Sequence, residues 1–337
     1  MKIKIFITGS SGFIGFHTAK KFLDKGYAVR GFDSMNNYYD VKLKKARLNI
    51  LKKYKKFSFT KGKLENKKIL NKSILNFKPN VIIHLAAQAG VRYSIENPEV
   101  YLNSNIIGTF NIIEISKRIK NKHLIIGSSS SVYGANKKMP FKEIDKTDHQ
   151  ISFYAATKKS TENLAHTYST LWKLPITVLR FFTVYGPWGR PDMAPMIFTK
   201  AILSGEPISI FNNGEMSRDF TYVEDIINCI LKLINKPATK NESYDFKNQD
   251  SSSSWCPHQI FNLGNNNIVN LMDFIEILES ELGKKAIKKF EPMQPGDVKE
   301  TYADTSKIFK YIGFKPYTDI KDGIKKFTTW YKNYYLN

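Results

Sequence analysis

The sequence predicts an α/β protein with a doubly wound parallel sheet and a smaller C-terminal lobe. In its first half, short apolar runs alternate with longer amphipathic segments, which is typical of strands joined by crossover helices. The run at residues 81–85 is apolar on both faces, as expected for a strand that helices cover on both sides. Beyond about residue 185 the pattern becomes irregular and rich in turns, which predicts a separate lobe.

The elements follow from this pattern in chain order. Six strands are predicted in the first half, at residues 4–7, 28–32, 57–61, 81–85, 123–127 and 176–181. Five helices are predicted among them, at residues 12–25, 41–54, 66–76, 100–119 and 153–171. Further on we expect helices at 221–236, 271–282 and 320–335, with a strand at 259–263. Residues 239–255, rich in Asn, Asp, Gln and Ser, predict an exposed loop.

Length and composition are those of a globular protein that works in a reducing compartment. The 337 residues can bury a sizeable core, and no apolar run reaches the length of a membrane span. The chain enters its first strand at once, so we expect no signal peptide, no membrane and a cytoplasmic location. Cys229 and Cys256 cannot form a disulfide framework. No Cys/His cluster has metal-binding spacing, so no metal is expected.

The charge is strongly positive, with 52 basic and 30 acidic side chains and a net charge of +22. The excess is mostly lysine and is scattered along the chain, as in the series Lys42, Lys44, Lys45, Lys52, Lys53, Lys55, Lys56, Lys67, Lys68 and Lys72. Because no arginine-rich stripe or nucleic-acid-binding motif accompanies it, we interpret it as a solvated surface and expect no nucleic-acid partner. A field that attracts anionic nucleotide substrates is the second possibility.

Gly9, Gly12 and Gly15 follow the first strand and open the first helix. Their spacing, Gly-xx-Gly-xx-Gly, suits a turn in which Gly9 permits the bend, Gly12 lets the backbone approach a pyrophosphate and Gly15 allows close helix packing. Asp33 ends the second strand, where a carboxylate can accept hydrogen bonds from both ribose hydroxyls and repel a 2′-phosphate. Together these residues predict a dinucleotide site that prefers NAD to NADP.

Small residues end the predicted strand at 81–85. Residues 85–90, Leu-Ala-Ala-Gln-Ala-Gly, supply small side chains next to the place where a nicotinamide ribose would lie in such a fold. The same residues are also typical of ordinary tight packing. Both interpretations stay open on the sequence alone.

Tyr154 and Lys158 are four residues apart, so they lie on one face of a helix. A phenol has a pKa of about 10, and a nearby cation favours the phenolate. Such a pair can exchange a proton with a sugar hydroxyl near neutral pH. The run of serines at 128–131 follows a predicted strand at the carboxyl edge of the sheet, so a hydroxyl there can bridge the substrate oxygen and the phenol.

These features resemble the extended short-chain dehydrogenase/reductases, and among them the nucleotide-sugar epimerases and dehydratases. The similarity runs from residue 1 to about 330, and three segments resemble UDP-glucuronate 4-epimerases in particular, at 33–40, 87–94 and 180–193. The resemblance implies a Rossmann fold whose NAD-binding domain is residues 1–185 and whose nucleotide-sugar-binding lobe is residues 186–337, with segments of the two interleaved. It also implies a homodimer built from helices near 100–119 and 154–171.

The resemblance further implies a tightly bound NAD that is recycled and not consumed. The residues it assigns to the cofactor are Gly9, Gly12, Phe13, Ile14, Gly15, Asp33, Asn36, Leu64, Leu85, Ala86, Ala87, Tyr154 and Lys158. One position departs from the pattern, since relatives often place an aspartate that binds adenine where this chain has Lys63. The backbone of Leu64 could replace that contact.

For catalysis the resemblance implies that Tyr154, as phenolate, takes the C4 hydroxyl proton while the C4 hydride moves to NAD. The 4-keto sugar then turns over and receives the hydride on its other face. Lys158 would lower the pKa of Tyr154 and hold the ribose, and Ser129 would relay or orient the proton. The residues implied for the substrate are Ser130, Ser131 and Thr183 at the uronate carboxylate, Arg190 and Arg218 at the pyrophosphate, and Asp297 near the uridine ribose; Arg92 is implied for the substrate without a particular group.

The preferred reaction is therefore the conversion of UDP-glucuronate to UDP-galacturonate for polysaccharide biosynthesis. Related 4,6-dehydratases carry Asp-Glu where this chain has Ser130 and Ser131, so the acid and base for eliminating water are missing here. Relatives that act on neutral sugars usually carry Asn in place of Thr183. The alternatives are a UDP-glucose or UDP-N-acetylhexosamine 4-epimerase, and a non-catalytic NAD-sensing protein, which loss of Tyr154 or Lys158 would favour.

Overall fold

The alternating apolar runs of the first half form a parallel sheet in this computed structural model, which describes residues 3–294 and 298–336. Its first six strands are β1 Lys4–Thr8, β2 Ala28–Asp33, β3 Phe57–Lys61, β4 Val81–His84, β5 His123–Ser129 and β6 Ile176–Phe181. The helices of this half are α1 Phe13–Asp24, α2 Val41–Lys52, α3 Lys67–Phe77, α4 Tyr93–Glu96, α5 Pro98–Tyr101, α6 Gly108–Ile119 and α7 Phe153–Trp172. The predicted strands and most predicted helices agree with these bounds to within two residues.

The C-terminal half contains more regular structure than its sequence pattern indicates. Its strands are β7 Thr183–Tyr185, β8 Pro207–Phe211, β9 Ser217–Tyr222, β10 His258–Leu263, β11 Ile268–Asn270, β12 Ile287–Glu291 and β13 Glu300–Thr301. Its helices are α8 Ala194–Ser204, α9 Val223–Leu233, α10 Leu271–Leu282, α11 Ser306–Ile312 and α12 Ile320–Tyr335. Of these strands only β10 was predicted from the sequence; β7, β11 and β13 have two or three residues, too few to show a period of two.

The main sheet has seven strands in the order β10-β6-β5-β4-β1-β2-β3, and every pairing in it is parallel. Successive side chains of β1 enter different cores: Ile5 and Ile7 pack against α1 and α9, whereas Phe6 packs against α3 and α6. The sheet is therefore covered by helices on both faces, as its doubly apolar strands require. The predicted doubly wound α/β fold is confirmed.

Residues beyond 185 contribute to the main sheet as well as to a second layer. Strand β10 pairs with β6 at the edge of the main sheet, and α9 packs directly on α1. The remaining strands form a small sheet in which β9 joins β11, β13 and β7, and a separate pair, β8 with β12. A third buried cluster, which includes Phe220, Phe274 and Phe327, forms the core of this lobe.

Two predicted segments differ from the structure. The expected single helix at 100–119 is interrupted by a π-helical stretch, Leu102–Ile107, between α5 and α6. Such wide turns are often found near functional sites, and here the stretch carries the buried side chain of Asn105. The expected exposed loop at 239–255 lacks regular elements, but its end turns inward and buries Ser252 and Ser254.

The lysines are less evenly scattered than their order along the chain suggests. Residues 41–80 hold 14 of the 52 basic side chains and one of the 30 acidic ones, Glu65. This segment spans α2, β3 and α3, and β3 is an edge strand, so the excess charge concentrates at one edge of the sheet. Most of these lysines are exposed, but Lys44 is buried at 5% exposure.

Within residues 3–294 and 298–336, no helix is long and apolar enough to cross a membrane. The same residues contain no group of three or more His, Cys, Asp or Glu side chains arranged to hold a metal ion. Cys229 and Cys256 are both free thiols in the interior.

Candidate functional site

A cleft of about 1130 Å³ opens at the carboxyl ends of the parallel strands, between the main sheet and the C-terminal lobe. The structure brings nearly all of the predicted site residues to its walls. The predicted residues that line it are Gly9, Gly12, Phe13, Ile14, Gly15, Asp33, Asn36, Leu64, Leu85, Ala86, Ala87, Arg92, Ser129, Ser130, Ser131, Tyr154, Lys158, Thr183, Arg190 and Arg218. The remaining predicted residue, Asp297, lies outside the described residues.

The glycine turn that joins β1 to α1 is as tight as its spacing predicts. Gly9 has a φ of +73°, and a side chain on Gly15 would place its Cβ 2.0 Å from the carbonyl oxygen of Gly9. Helix α1 begins after Gly12 with no acidic residue in its first turn and, among the described residues, no side chain capping its amides. The helix N-terminus therefore presents N–H groups and a partial positive charge to the cleft, which suits a phosphate.

Asp33 holds this turn against the end of β2. Its carboxylate accepts hydrogen bonds from the backbone N–H groups of Ser11 at 3.0 Å and Met35 at 2.8 Å. One oxygen serves each amide, so both oxygens keep acceptor capacity toward the cleft, which Asp33 lines. The geometry suits a carboxylate that receives two vicinal ribose hydroxyls.

Lys44 is a cleft residue that the sequence analysis counted among the surface lysines. Its ammonium donates to the backbone carbonyl of Asn36 at 2.7 Å and to the side-chain oxygen of the same residue at 2.5 Å. The signal for its burial is its place on α2, where Lys44, Arg47, Leu48 and Leu51 follow the i, i+3, i+4, i+7 spacing of a buried face. Burial lowers the pKa of Lys44, while the charge of Asp33 acts against that effect.

The end of β4 is fixed by a chain of hydroxyl and imidazole groups. Thr8 Oγ1 accepts hydrogen bonds from the amides of Leu85 and Ala86 at 3.1 and 3.0 Å, and His84 joins Thr8 to Thr109. Burial lowers the pKa of His84 to about 3, so the imidazole is neutral at pH 7. Ala86 lines the cleft, and its backbone also lies close to Gly9.

The segment after β3 forms another wall of the cleft. Leu64 lines this wall, and its backbone carbonyl accepts a hydrogen bond from the side-chain amide of Asn111 at 3.0 Å. Lys63 lines the same wall but keeps its side chain exposed, 3.9 Å from Glu65. The backbone at Leu64 is therefore fixed by α6, independently of the side chain at position 63.

Tyr154 and Lys158 lie on the first turns of α7 and both face the cleft. Lys158 Nζ donates to the backbone carbonyl of Gly127 at 2.6 Å, and burial lowers its pKa to about 8 although the charge of Glu162 raises it. Burial raises the pKa of Tyr154, while the nearby Ser129 hydroxyl and the charge of Arg190 lower it. The net direction is opposite to the lowering predicted from the sequence, because burial outweighs both effects.

Residues that the sequence analysis missed hold α7 in place. Asn105, on the π-helical stretch, donates to the Thr157 hydroxyl at 3.0 Å and to the Gln88 carbonyl at 3.0 Å. The backbone N–H of Tyr154 donates to the Ser94 hydroxyl at 3.1 Å. Polar residues in the middle of a predicted helix are the only local sign of this network, and the sequence does not reveal its partners.

The serine run turns sharply after β5. Ser129 Oγ accepts a hydrogen bond from the backbone N–H of Ser131 at 3.2 Å and so caps a 3₁₀ turn, Ser130–Tyr133. Ser129, Ser130 and Ser131 all line the cleft beside Thr183, the first residue of β7. Several hydroxyls therefore face the same space as the Tyr154 phenol.

The two predicted pyrophosphate arginines are held by protein groups. Arg190 Nε donates to Asp192 at 3.0 Å, and Asp192 also accepts a hydrogen bond from the Tyr38 hydroxyl at 3.0 Å. Arg218 donates to the carbonyls of Ser217 at 2.9 Å, Lys299 at 3.0 Å and Val298 at 2.7 Å.

The third predicted arginine contacts the lobe on the opposite wall. The guanidinium of Arg92 lies 5.1 Å from the ring centroid of Phe211, at the end of β8. The three arginines thus bring positive charge to the cleft from three different segments.

Known proteins match the chain over nearly its whole length. It is 53% identical over 333 residues to protein CapI of Staphylococcus aureus, with 99% of both chains covered. It is 46% identical over 334 residues to a probable UDP-glucuronate 4-epimerase of Rhizobium meliloti, covering 99% of this chain and 98% of that protein. The solved UDP-glucuronic acid 4-epimerase of Bacillus cereus, in complex with UDP-glucuronic acid and NAD, is 32% identical. It superimposes with a TM-score of 0.87, covering 99% of this chain and 100% of that one.

A family model described as GDP-mannose 4,6 dehydratase matches residues 6–327. That span includes the glycine turn, the serine run and the Tyr154–Lys158 pair, and the relatives named above resemble the chain over the same region. The protein therefore belongs to this family of extended short-chain dehydrogenase/reductases, and within it the chain resembles the UDP-glucuronate 4-epimerases.

Proposed function

We propose that this protein is an NAD-dependent UDP-sugar 4-epimerase that interconverts UDP-glucuronate and UDP-galacturonate. The observation that carries the proposal is the meeting of the Tyr154 phenol, Lys158 and the hydroxyls of Ser129–Ser131 and Thr183 in one cleft with the glycine turn. A dinucleotide turn beside a phenol and several hydroxyls suits reversible oxidation of an alcohol. The similarity to the probable epimerase of Rhizobium meliloti and to the Bacillus cereus enzyme supports it.

The residues present fit NAD. A Cβ at Gly15 would collide with the turn, the α1 amides face the cleft, and Asp33 keeps acceptor capacity there. We assign the pyrophosphate to Gly12, Phe13 and Ile14 at the start of α1, and the adenosine ribose to Asp33 and Asn36. Leu64 would contact the adenine, and Leu85, Ala86, Ala87 and Lys158 would contact the nicotinamide ribose. When bound, NAD supplies a hydride acceptor that is recycled in each turnover.

Tyr154 is the group that exchanges the proton of the C4 hydroxyl. Tyr154 is 9% exposed as a residue, so water has little access to it and the proton passes to and from the substrate or Ser129. Since burial raises the pKa of Tyr154, the phenolate needs a positive charge nearby when it forms. The Arg190 charge already lowers the pKa of Tyr154, and we assign a second positive charge to Lys158, which is one helical turn away.

Ser130, Ser131 and Thr183 would receive the uronate carboxylate. Each hydroxyl donates one hydrogen bond, without the rigid two-bond geometry of an arginine guanidinium. The hydroxyls can therefore keep their bonds to the carboxylate while the sugar ring turns to present its other face to the cofactor. Elimination of water would need an acid and a base near C5 and C6, and positions 130 and 131 are both serine. This is why we assign epimerisation here although the family description names a dehydratase.

The test is to purify the protein, measure its NAD content, and incubate it with UDP-glucuronate, UDP-galacturonate, UDP-glucose and UDP-N-acetylglucosamine without added cofactor. Separation of the products should show interconversion of the two uronates. Turnover of UDP-glucose but not UDP-glucuronate would point to a neutral-sugar epimerase instead. Release of 4-keto-6-deoxy product or of carbon dioxide would overturn the epimerase assignment.

We also propose that residues 1–185 hold NAD and residues 186–337 hold the nucleotide sugar, although β10 and α9 of the second range pack with the first. A homodimer and a cytoplasmic location belong to the same proposal. Exposed apolar side chains on and before α6 and α7 support the dimer, namely Leu102, Ile107, Phe153, Leu171 and Trp172. Light scattering on the purified protein should give twice the mass of one chain.

A further inference from the structure

A buried ion pair lies beneath the serine run. Arg180, near the carboxyl end of β6, donates through Nε and Nη2 to the two carboxylate oxygens of Glu162 at 3.0 and 2.8 Å. The side chains of Arg180 and Glu162 are 0% and 1% exposed. Among the described residues that line the cleft, neither appears, so the proposed chemistry does not use them directly.

This pair contacts the serine segment at both ends. The Ser128 hydroxyl donates to the Glu162 carboxylate at 2.6 Å. At the other end, the Arg180 guanidinium lies 4.9 Å from the ring centroid of Tyr133, the last residue of the 3₁₀ turn. Ser129, Ser130 and Ser131 therefore lie between two points that are fixed to one buried ion pair.

The pair also joins this segment to α7. Glu162 follows Lys158 by one helical turn, and the Lys158 ammonium donates to the carbonyl of Gly127, the residue before Ser128. Gly127 and Ser128, which are adjacent at the end of β5, are thus bonded to Lys158 and Glu162 on successive turns of α7. Since Tyr154 lies one turn before Lys158, the phenol and the Ser129 hydroxyl share one rigid frame.

The energetics agree with a positioning role. A buried ion pair adds little net stability, because the cost of removing both charges from water offsets their attraction. A fully hydrogen-bonded buried network does, however, hold its members in one arrangement. Burial alone would raise the pKa of Glu162, but the Arg180 charge keeps it below its ordinary value, so the carboxylate stays ionised and can accept from Ser128.

We infer that Glu162 and Arg180 are positioning residues, which act through Ser128 to hold Ser129 at the Tyr154 phenol. The inference rests on the proposed epimerase activity for its kinetic consequence. A proton relay needs its hydroxyl within hydrogen-bond distance of the phenol, and a displacement well below 1 Å weakens it. Both members of the pair act from outside the cleft.

The test is Ser128→Ala, which removes one hydrogen bond and leaves the Glu162–Arg180 pair intact. We expect kcat to fall about tenfold with KM for UDP-glucuronate within about twofold and NAD content unchanged. Ser169→Ala is the matched control, because Ser169 is a fully buried serine on α7 whose hydroxyl donates to the Leu174 carbonyl at 2.8 Å. It removes a buried serine hydroxyl that is bonded to a neutral carbonyl away from the serine run, and its kcat should match the unmodified protein.

Two further measurements separate positioning from general destabilisation. In a Ser129→Ala background, Ser128→Ala should cause no further loss of kcat, because its effect passes through Ser129. A full tenfold loss in that background would overturn the inference.

The second measurement does not depend on activity. Hydrogen exchange of the peptide that covers residues 128–134 should be faster in Ser128→Ala and unchanged in Ser169→Ala. Unchanged exchange in Ser128→Ala would overturn the inference. Failure of the unmodified protein to turn over any UDP-sugar would instead overturn the proposed function, and the exchange rates would still decide the positioning role.

Discussion

Backbone atoms shape the cleft where β1 ends, whereas side chains shape it where β5, β6 and β7 end. At the first place the walls are the turn of Gly9 to Gly15 and the free amides of α1, and a Cβ at Gly15 would lie 2.0 Å from a carbonyl oxygen. At the second place the walls are the hydroxyls of the serine run, held from below by a buried ion pair.

The difference decides what each region tolerates. A backbone wall cannot yield to an added methyl group, so its residues are required for the fold as well as for the ligand. A wall of side chains can lose one hydroxyl and keep its shape, so its residues are required for chemistry or recognition. Substitutions at the first region should therefore act on folding and cofactor together, and those at the second region on turnover alone.

The largest effect is expected from Gly15→Ala. The added Cβ would overlap the Gly9 carbonyl, so α1 must move away from β1. We expect the free energy of unfolding to fall by more than about 3 kcal/mol and the purified protein to contain no NAD. Chemical denaturation and chromatography of the released nucleotide measure both.

Gly12→Ala places a methyl group in the same turn but should cause a weaker steric clash than Gly15→Ala. A Cβ there would lie 3.0 Å from the same carbonyl oxygen, which a shift of a few tenths of an ångström can relieve. This variant should fold and bind NAD more weakly than the unmodified protein. Equal behaviour of the two variants would contradict the argument that the backbone at Gly15 sets the turn.

Tyr154→Phe tests the other region. The substitution removes the hydroxyl that exchanges the proton and keeps the ring that packs in the protein. We therefore expect kcat to fall about 10³-fold while folding and NAD content remain unchanged. Tyr168→Phe is the matched control on α7, because its phenol is bonded to Glu114 and its ring lies in the core beneath the helix. Normal turnover by the Tyr154 variant would contradict the proposed mechanism.

The same comparison explains what the sequence could predict of the fold. Parallel strands and their helices were visible because they carry long apolar patterns, and β1 to β6 agree closely with expectation. The strands β7 and β13 were not, since two or three residues show no period, and β9 begins with the polar residues Ser217, Arg218 and Asp219 in place of an apolar run. The interruption of the helix at Leu102–Ile107 leaves no mark in the apolar pattern either.

Some residues of the site could also be predicted from the sequence and others could not. Gly9, Gly12 and Gly15 are close together in sequence, so one local motif predicts their place in the cleft. Glu162 and Arg180 were missed because their partners, Ser128 and Tyr133, lie on other elements, and nothing local to either residue records the contact. A network that only tertiary structure assembles cannot be predicted from one sequence.

Thr183→Val tests the hydroxyl that we assign to the uronate carboxylate of the substrate. The two side chains have nearly the same volume, so only the hydroxyl is lost, and a hydrogen bond to a charged group contributes about 1.5 to 3 kcal/mol. We expect kcat/KM for UDP-glucuronate to fall about 10- to 100-fold, with UDP binding unchanged by calorimetry.

The control for this prediction is Thr199→Val on α8. The Thr199 hydroxyl is buried and has no hydrogen-bond partner among the described residues, so its loss should leave kcat/KM unchanged. If the Thr183 variant also keeps its kcat/KM for the uronate, recognition of the carboxylate by this hydroxyl is refuted.

The smallest effect is expected from His84, a side chain on β4 that bonds to Thr8 of β1, beside the region that backbone atoms shape. His84 is 3% exposed and bonds to Thr8 and Thr109, and burial lowers its pKa from 6.5 to about 3. Between these two pH values the unfolded chain binds a proton at His84 that the folded chain does not. The stabilising contribution of the neutral imidazole is therefore complete above pH 6.5 and is lost as the pH falls toward 3.

His84→Gln removes this titration and keeps a polar side chain between the two threonines. The free energy of unfolding should then decrease less steeply below pH 6.5, by about 2 kcal/mol less at pH 5 than in the unmodified protein. Urea denaturation at several pH values measures the slope, and His149→Gln, at an exposed position, is the control. An unchanged slope in the His84 variant would mean that the imidazole is protonated in the folded state. The end of β4 would then depend on charge, and the contrast between the two regions would be weaker than the geometry indicates.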